Sequence, residues 1–293
     1  IVKFLNRETN KIQEKYFNSQ TEAEEFVNTF NDDDTIDINI KDYLKLNKTT
    51  KDHLVLFKID CINWEHQEVE LDPYILGMWL GDGLSTGKGF SLNYKIDHEI
   101  LAYWELWAEE NGAVISKSTR YSFNISSIKN KKSMENGSVN NIEEAPLKKY
   151  LRKYNLINNK HIPNEYLTND RETRLKVLAG LIDTDGHVRA EGKEIRITQG
   201  LDNYRIIEDA HTLATSLGFS CGLKEGISHW TDEKTGEKKS GTYKELTITG
   251  YNVSDIPTIL PRKKLTKITN ETQIKRSRSF TGSKFKLVEV GDG

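Results

Sequence analysis

Cysteine is almost missing from this chain. Cys61 and Cys221 are the two in 293 residues, too few and too distant for a disulfide framework or a cysteine-ligated metal, and they read as reduced packing residues. No apolar run reaches the length that spans a bilayer, and residues 1–10 lack the hydrophobic stretch of a secretory signal, so neither a membrane-embedded nor a secreted protein is expected. An excess of one charge sign is also absent: 42 Lys and Arg stand against 44 Asp and Glu, a net charge of −2, which is not the basic total usual for a protein that binds nucleic acid. Hydrophobic content of 36% with 29% charged residues is ordinary for a soluble protein, and the length suits about two domains.

What is present is one motif written twice. Ile75-Leu76-Gly77-Met78-Trp79-Leu80-Gly81-Asp82-Gly83 and Leu178-Ala179-Gly180-Leu181-Ile182-Asp183-Thr184-Asp185-Gly186 are both apolar, helix-like runs that end in Asp-Gly. A helix C-terminus carries partial negative charge, so a carboxylate there is disfavoured unless something positive offsets it. Gly83 and Gly186 are expected to end the helices as left-handed residues. Gly77 and Gly81 lie four apart, as do Gly180 and Thr184, giving each helix a smooth face on which another backbone can come close. Helices packed on those faces bring Asp82 and Asp185 side by side. Adjacent carboxylates repel or share protons unless divalent cations sit between them, and Mg²⁺ suits hard oxygen ligands with retained waters. One Gly-capped buried helix would carry no such argument; two matched copies do.

Subtraction extends the repeat. Asp82 and Asp185 are 103 apart, and so are Lys160 in Asn159-Lys160-His161-Ile162-Pro163 and Lys263 in Pro261-Arg262-Lys263-Lys264, so each lysine follows its own aspartate by 78 residues. Between these anchors, short strands are expected at Phe90-Ser91-Leu92-Asn93 and Ile195-Arg196-Ile197-Thr198-Gln199. Amphipathic helices follow, one with Ile100, Leu101, Trp104 and Ala108 on a face, the other with Ile206, Ala210, Leu213 and Leu217, stopping at Gly112 and Gly218. The glycines, and Asn93 with Gln199, are offset by 106, which gives the second copy three more residues in its first hairpin, around positions 189–193.

Charge is unevenly distributed. Positions 262–286 hold nine Lys or Arg against Glu271 alone, and 117–132 and 148–160 each hold five basic residues and no acid. Glu22, Glu24, Glu25, Asp32, Asp33, Asp34 and Asp37 form an acidic stretch elsewhere. Phosphate attraction depends on such local clusters rather than on the total.

Both motifs resemble the signature of the LAGLIDADG homing endonucleases, the second almost letter for letter and the first in the LGxWLGDG variant of intein-encoded members. The resemblance implies an α+β fold, a pseudo-twofold duplicated αββαββα unit whose two antiparallel sheets form a saddle on the DNA major groove. It implies a monomeric Mg²⁺-dependent enzyme, with Mn²⁺ substituting, that cuts both strands of a long asymmetric double-stranded site. The last acid of each signature binds metal in that family, which gives Asp82 and Asp185, with Gly81 and Thr184 beside them in the metal set. Asp183 occupies the other acidic position, where the first copy has Leu80. Lys160 and Lys263 match the active-site lysines, Lys264 being a rival separated only by the equal spacing, and Asn93 and Gln199 match the polar position that holds a water. Candidate DNA contacts are Lys117, Arg120 and Asn124 in the first copy, Arg189, Lys193, Arg196, His229 and Lys244 in the second, and Arg262 and Lys264 after it. Such an enzyme works inside the cell where DNA is, in cytoplasm or nucleus.

The expected organisation is a flank at 1–70, repeats at 71–167 and 168–270, and a basic tail at 271–293. The flank carries a capping box of Ser19 and Glu22 opening a helix through Ala23, Phe26, Val27 and Phe30, an alternating strand at 36–40, and a short helix capped by Asp42. It resembles the connector before the endonuclease of large inteins, and the tail resembles the opening of an intein's C-terminal splicing segment. Splicing needs Cys or Ser first and His-Asn last in the family pattern, whereas Ile1 and Gly293 stand there, so splicing by this polypeptide is not expected. Two alternatives share the fold: an RNA maturase, and a noncatalytic DNA-binding regulator, the latter expected to lose a metal aspartate or a lysine. Specificity spread over many contacts and over DNA bending leaves the target sequence unread.

Overall fold

A computed structural model describes all residues except 7–8, 10, 30–37, 55, 58–59, 131–142, 233–234, 251, 268–281 and 284–293. Two compact units emerge: residues 1–58 with 279–293, and residues 59–278.

In the smaller unit, strands β1 (Val2–Asn6) and β2 (Lys11–Lys15) form an antiparallel hairpin, and helices α1 (Gln20–Val27), α2 (Ile40–Lys45) and α3 (Lys48–His53) precede β3 (Leu56–Phe57). Ser19 caps α1 by accepting from Glu22 N at 3.2 Å, while the Glu22 carboxylate reaches back to Asn18 N at 3.2 Å. The expected strand at 36–40 and cap at Asp42 are corrected here. Positions 36 and 37 lie outside the described residues, Ile40 opens α2, and Asn39 caps it by accepting from Asp42 N at 3.0 Å. Asp42 sits in the first turn instead, where its charge also suits the helix N-terminus. Most of the basic tail, like Phe30 and Lys131 and Lys132, lies outside the described residues; its described piece, β11 (Gly282–Ser283), pairs with β3.

The larger unit begins earlier than position 70, because 59–70 is tied to its helices: Ile62 N donates to Ser216 O at 2.8 Å and Gln67 N to Asn169 Oδ1 at 3.0 Å. Its centre is two helices, α4 (Pro73–Asp82) and α8 (Arg171–Asp185). Asp72 caps α4 through Ile75 N at 2.9 Å, with Pro73 at the first helical position where no N–H is needed. The chain continues through β4 (Gly89–Ser91), α5 (His98–Glu110), β5 (Ala113–Lys117), β6 (Ser122–Ser127), α6 (Pro146–Lys153) and α7 (Asn164–Leu167) to α8 (Arg171–Asp185), which Asp170 caps through Thr173 N at 2.7 Å. Strands β7 (Gly186–Arg189) and β8 (Glu194–Gly200), helix α9 (Tyr204–Ser216), and strands β9 (Ser220–Thr231) and β10 (Lys238–Thr249) complete it. Two antiparallel sheets result, ordered β4-β6-β5 and β7-β8-β10-β9, so the architecture is mixed α+β as read.

Helix α4 and the motif segment of α8 are apolar nearly all round and buried, from Tyr74 to Leu80 and from Val177 to Ile182, with Asp183 buried after them, as core segments must be. They cross where both lack a side chain. A Cβ added at Gly180 would stand 2.8 Å from Met78 N, and one at Gly77 would stand 2.9 Å from Leu181 N, both backbone atoms that cannot turn away. Around this crossing, Phe90 stacks on Trp104 at 4.6 Å and on Phe123 at 5.3 Å, while Ile195, Ile197, Leu246 and Ile248 cover the other side from their sheet.

Two expectations need correction. Gly83 (φ −70°, ψ 147°) and Gly186 (φ −73°, ψ 143°) are extended rather than left-handed, because the chain runs straight from helix into strand; Gly186 opens β7, and Gly83 bridges Phe90. Glycine is required for space instead: a Cβ at Gly186 would lie 2.7 Å from Ile182 Cα. The left-handed terminators are Gly112 (φ 65°) and Gly218 (φ 85°), which follow α5 and α9. Among the described residues the first sheet has three strands rather than the four expected. The shorter link between Asp82 and β4 closes in a tight turn, Gly87 N donating to Leu84 O at 2.8 Å, and the isolated Gly83–Phe90 bridge stands where β7 pairs with β8 in the other sheet.

Replacing Gly180 by alanine is expected to cost about 3 kcal/mol or more through backbone overlap, whereas Gly222→Ala, with open space at its Cβ position, should stay within about 0.5 kcal/mol. Urea denaturation of the two variants checks the contrast.

Candidate active site

The crossing of α4 and α8 carries their last residues into contact. A Cβ at Gly81 would lie 3.2 Å from Asp185 Cγ, so the Asp185 carboxyl group rests against the end of α4 beside Asp82. Burial and the neighbouring Asp185 push the Asp82 carboxyl up to about 6, against the pull of Lys263 and Lys160. Burial also raises Asp185, opposed by Lys160, Lys263 and a hydrogen bond from Gln199 Nε2 to its Oδ2. Each acid therefore feels both lysines.

Those lysines explain how carboxylates are tolerated at helix C-termini. Lys160 Nζ donates to Leu80 O at 2.9 Å and Gly81 O at 3.2 Å, and lies 5.1 Å from the Trp79 ring centroid. Lys263 Nζ donates to Ile182 O at 2.8 Å, Asp183 O at 2.6 Å and Thr184 O at 2.9 Å. Each ammonium thus occupies the negative end of the helix that bears an aspartate, satisfying carbonyls with no intrahelical partner. Burial lowers both lysines to about 8, Arg262 adding to the effect on Lys263. Lys263 is 3% exposed, whereas its rival Lys264 is exposed and away from these carbonyls.

Two further acids place the lysines. Asp183, 1% exposed, accepts from Tyr74 Oη at 2.6 Å, Ile259 N at 2.8 Å and Leu260 N at 3.3 Å, which fixes the segment leading into Lys263. Asp209 on α9 accepts from Ile162 N at 2.9 Å, just after Lys160. Asp183 was visible in the sequence as an extra acid of the second motif; Asp209 left no signal, since its partner is a backbone N–H with no residue type to betray it.

Other expected site residues are placed as follows. Gln199 touches Asp185, but the Asn93 side chain makes no hydrogen bond among the described residues; its carbonyl accepts from Ile96 N at 2.9 Å and Asp97 N at 3.0 Å. The carbonyls of Gly81 and Thr184 each accept from a lysine and keep a second lone pair, while the carboxylates of Asp82 and Asp185 are the anionic oxygens beside them. Among the described residues no group of three or more His, Cys, Asp or Glu comes together. Two hard oxygen donors without nitrogen or sulfur fit Mg²⁺, a cation that keeps several waters and takes few protein ligands, with substrate phosphate supplying others.

Strand alternation divides the expected DNA contacts. In the second sheet, Ile195, Ile197, Leu246 and Ile248 face the helices, so Arg196, paired across the ladder with His187 and Thr247, faces away, as does the exposed Arg189 beside it. Asn124 likewise faces away from the core in the first sheet, between buried Phe123 and Ile125. Lys117, Lys244 and His229 are corrections: each shares parity with the core-facing residues. Lys117 pairs with Phe123 in the ladder and lies 4.2 Å from the Tyr94 ring centroid. Lys244 joins Glu208 at 2.8 Å and Glu225 at 3.3 Å, and His229 follows Glu225 on the same parity beyond the cover of α9. Arg120 lies over Tyr121 in an exposed turn, Lys193 is 3.8 Å from Glu191, and Arg196 is 2.8 Å from Glu194. Arg262 is held by Asp97, a partner sequence reasoning missed.

Residues 161–254 match the family model described as homing endonuclease. The match takes in Asp183, Asp185, Gln199 and the second sheet, and supports a DNA endonuclease. The chain is also 32% identical over 155 residues to the replicative DNA helicase DnaB of Mycobacterium intracellulare; that stretch is 53% of this chain and spans about a fifth (20%) of that relative's length.

The raised Asp82 carboxyl has a stability cost whose sign follows from linkage. Near pH 4 the group is protonated in the folded chain while the unfolded chain starts to ionise; between about 4 and 6 only the unfolded chain gains charge, so stability falls with rising pH and stays lower above 6. In the presence of chelator, Asp82→Asn is expected to gain about 1–2 kcal/mol at neutral pH, part of the shift being offset by lost lysine attraction, and to gain little near pH 4. Urea titrations at both pH values check this; a gain independent of pH contradicts it. Lys263→Ala strands three helix-end carbonyls and is expected to cost about 3–5 kcal/mol, against under about 0.5 for Lys264→Ala, by thermal unfolding.

Proposed function

We propose that this chain is a LAGLIDADG-type homing endonuclease that cuts both strands of a specific DNA site using Mg²⁺ or Mn²⁺, acting as a monomer built from a duplicated unit. The observation that carries the reading is the meeting of Asp82 and Asp185 at the ends of two touching helices, each end occupied by a lysine ammonium, that of Lys263 buried and that of Lys160 half-buried. Supporting the duplication, each half runs from a helix ending in Asp-Gly through one strand in the first half and two in the second, then a helix, to an antiparallel hairpin, with the lysines in equal register. A regulator that had lost catalysis would have no reason to retain both acids, which burial strains, whereas the lysines would be kept in either case as partners of the helix-end carbonyls.

Asp82 and Asp185 are the residues that would hold Mg²⁺, which when bound would supply activation of a water and charge stabilisation for phosphodiester hydrolysis. The residues do the rest. Asp82 and Asp185 hold the cation; Gln199 orients the Asp185 carboxylate by donating to Oδ2. Lys263, with three donors spent on carbonyls, acts as a fixed positive charge rather than as a ligand to phosphate. Lys160 spends two, and the described residues offer its third N–H no acceptor, so it is the lysine able to reach a phosphate oxygen or a water. The outward faces of the sheets, with Asn124, Arg189 and Arg196, form the saddle on the major groove, where Arg reads guanine and Asn adenine.

Identity to a replicative helicase over a fifth of that protein's length is what an inserted element would leave, and it supports an intein origin. The target is then a junction in a DnaB-type helicase gene that lacks the insertion. A plasmid carrying such a junction is expected to be linearised with Mg²⁺ or Mn²⁺ and untouched with chelator, while a library of randomised sites identifies the target if it lies elsewhere. Asp82→Asn and Asp185→Asn should each abolish linearisation with DNA affinity kept within about threefold. Cutting by either variant, or cleavage confined to RNA, refutes the assignment.

A further inference from the structure

Arg262 is the last side chain before Lys263, and its guanidinium makes a two-pronged contact with Asp97, Nε to Oδ1 at 2.8 Å and Nη2 to Oδ2 at 2.9 Å. The pair joins the two halves, 165 residues apart, beside the acid pair: Asp97 acts on the charge of Asp82, and Asp82 on that of Arg262. Its members are not equally sunk. The Arg262 side chain is 48% exposed and that of Asp97 only 14%, so the cation stands on the open side and the carboxylate behind it.

Two details mark this contact as exchangeable. A guanidinium fork fits a phosphate in the same planar, two-bond geometry with which it fits a carboxylate, so Asp97 occupies the place a backbone phosphate would take. Asp97 is also the N-cap residue of α5, yet its side chain caps nothing. Aspartate is among the best N-caps, and the first turn of α5 therefore offers the carboxylate a second set of donors once Arg262 leaves. The first half's lysine has no such neighbour: the positions equivalent to Arg262 and Asp97, by offsets of 103 and 106, are the uncharged Asn159 and Asn203.

We propose that Arg262 is a phosphate-binding residue of the acid-pair groove, held in reserve by Asp97 and transferred to a DNA backbone phosphate when duplex binds, as Asp97 swings to cap α5. The proposal rests on the reading of the chain as a DNA-binding enzyme. It makes one of the two centres dependent on a switch that the other lacks.

Binding of the full chain to a random-sequence duplex oligonucleotide in chelator tests it, because a phosphate contact is independent of sequence and needs no cleavage. Asp97→Asn, which keeps a good N-cap, is expected to tighten Kd by about three- to tenfold, and Arg262→Ala to weaken it by about tenfold with the salt slope reduced by about one. Arg262→Lys, which keeps the charge without the fork, should fall between. At about 0.15 M salt, where distant charges are screened, the gain from Asp97→Asn should shrink to under about twofold in the Arg262→Ala background. If the pair were only a strut between the halves, both single substitutions would weaken binding together; that result, or an unchanged salt slope in Arg262→Ala, overturns the proposal. Failure of the unsubstituted chain to bind duplex at all would instead strike the endonuclease reading beneath it.

Discussion

A buried ammonium against the carbonyls of a helix end is the interaction on which the rest of this molecule depends. Asp82 and Asp185 close their helices where backbone polarity already repels anions, and they do so next to each other. Lys160 and Lys263 reverse the sign of that environment from beneath, without entering the space between the acids. The arrangement costs something on both sides: burial raises the carboxyls and lowers the amines, so each charge is held at the expense of its own hydration. What keeps the lysines in place is a second set of carboxylates, Asp183 and Asp209, that bind backbone N–H groups and never face the groove.

The two halves solve the same problem with unequal means. Lys263 is anchored by three carbonyls and Lys160 by two. Gln199 holds Asp185, whereas among the described residues the Asn93 side chain makes no hydrogen bond. The second sheet has a fourth strand where the first has a single bridge, and only the second half brings an arginine to its lysine.

Much of this was legible in the sequence, for reasons that can be named. Apolar residues on every side of the two motif helices and small residues four apart on each gave both the burial and the close crossing. The equal 78-residue spacing favours Lys263 but leaves Lys264 a rival, and it is the carbonyl contacts of Lys263 that distinguish the two. Strand parity was harder. Lys117, Lys244 and His229 occupy core-side positions near the ends of strands that outrun their helices, where charge and alternation stop agreeing, so polar character no longer marks the outward face. The conformations of Gly83 and Gly186 were misread because a helix that feeds directly into a strand needs no reversal. Contacts made through backbone N–H groups, as at Asp209, leave no trace in residue type.

The crossing at Gly77 and Gly180 has a geometric corollary for any chemistry at the acid pair. With no side chain interposed, the gap between the carboxyl groups is set by the thickness of two peptide backbones, the smallest spacer a polypeptide can provide. The absent methyl groups thus act as a ruler, and on the proposed double-strand cleavage the two reacting phosphates would have to be brought within that same narrow span.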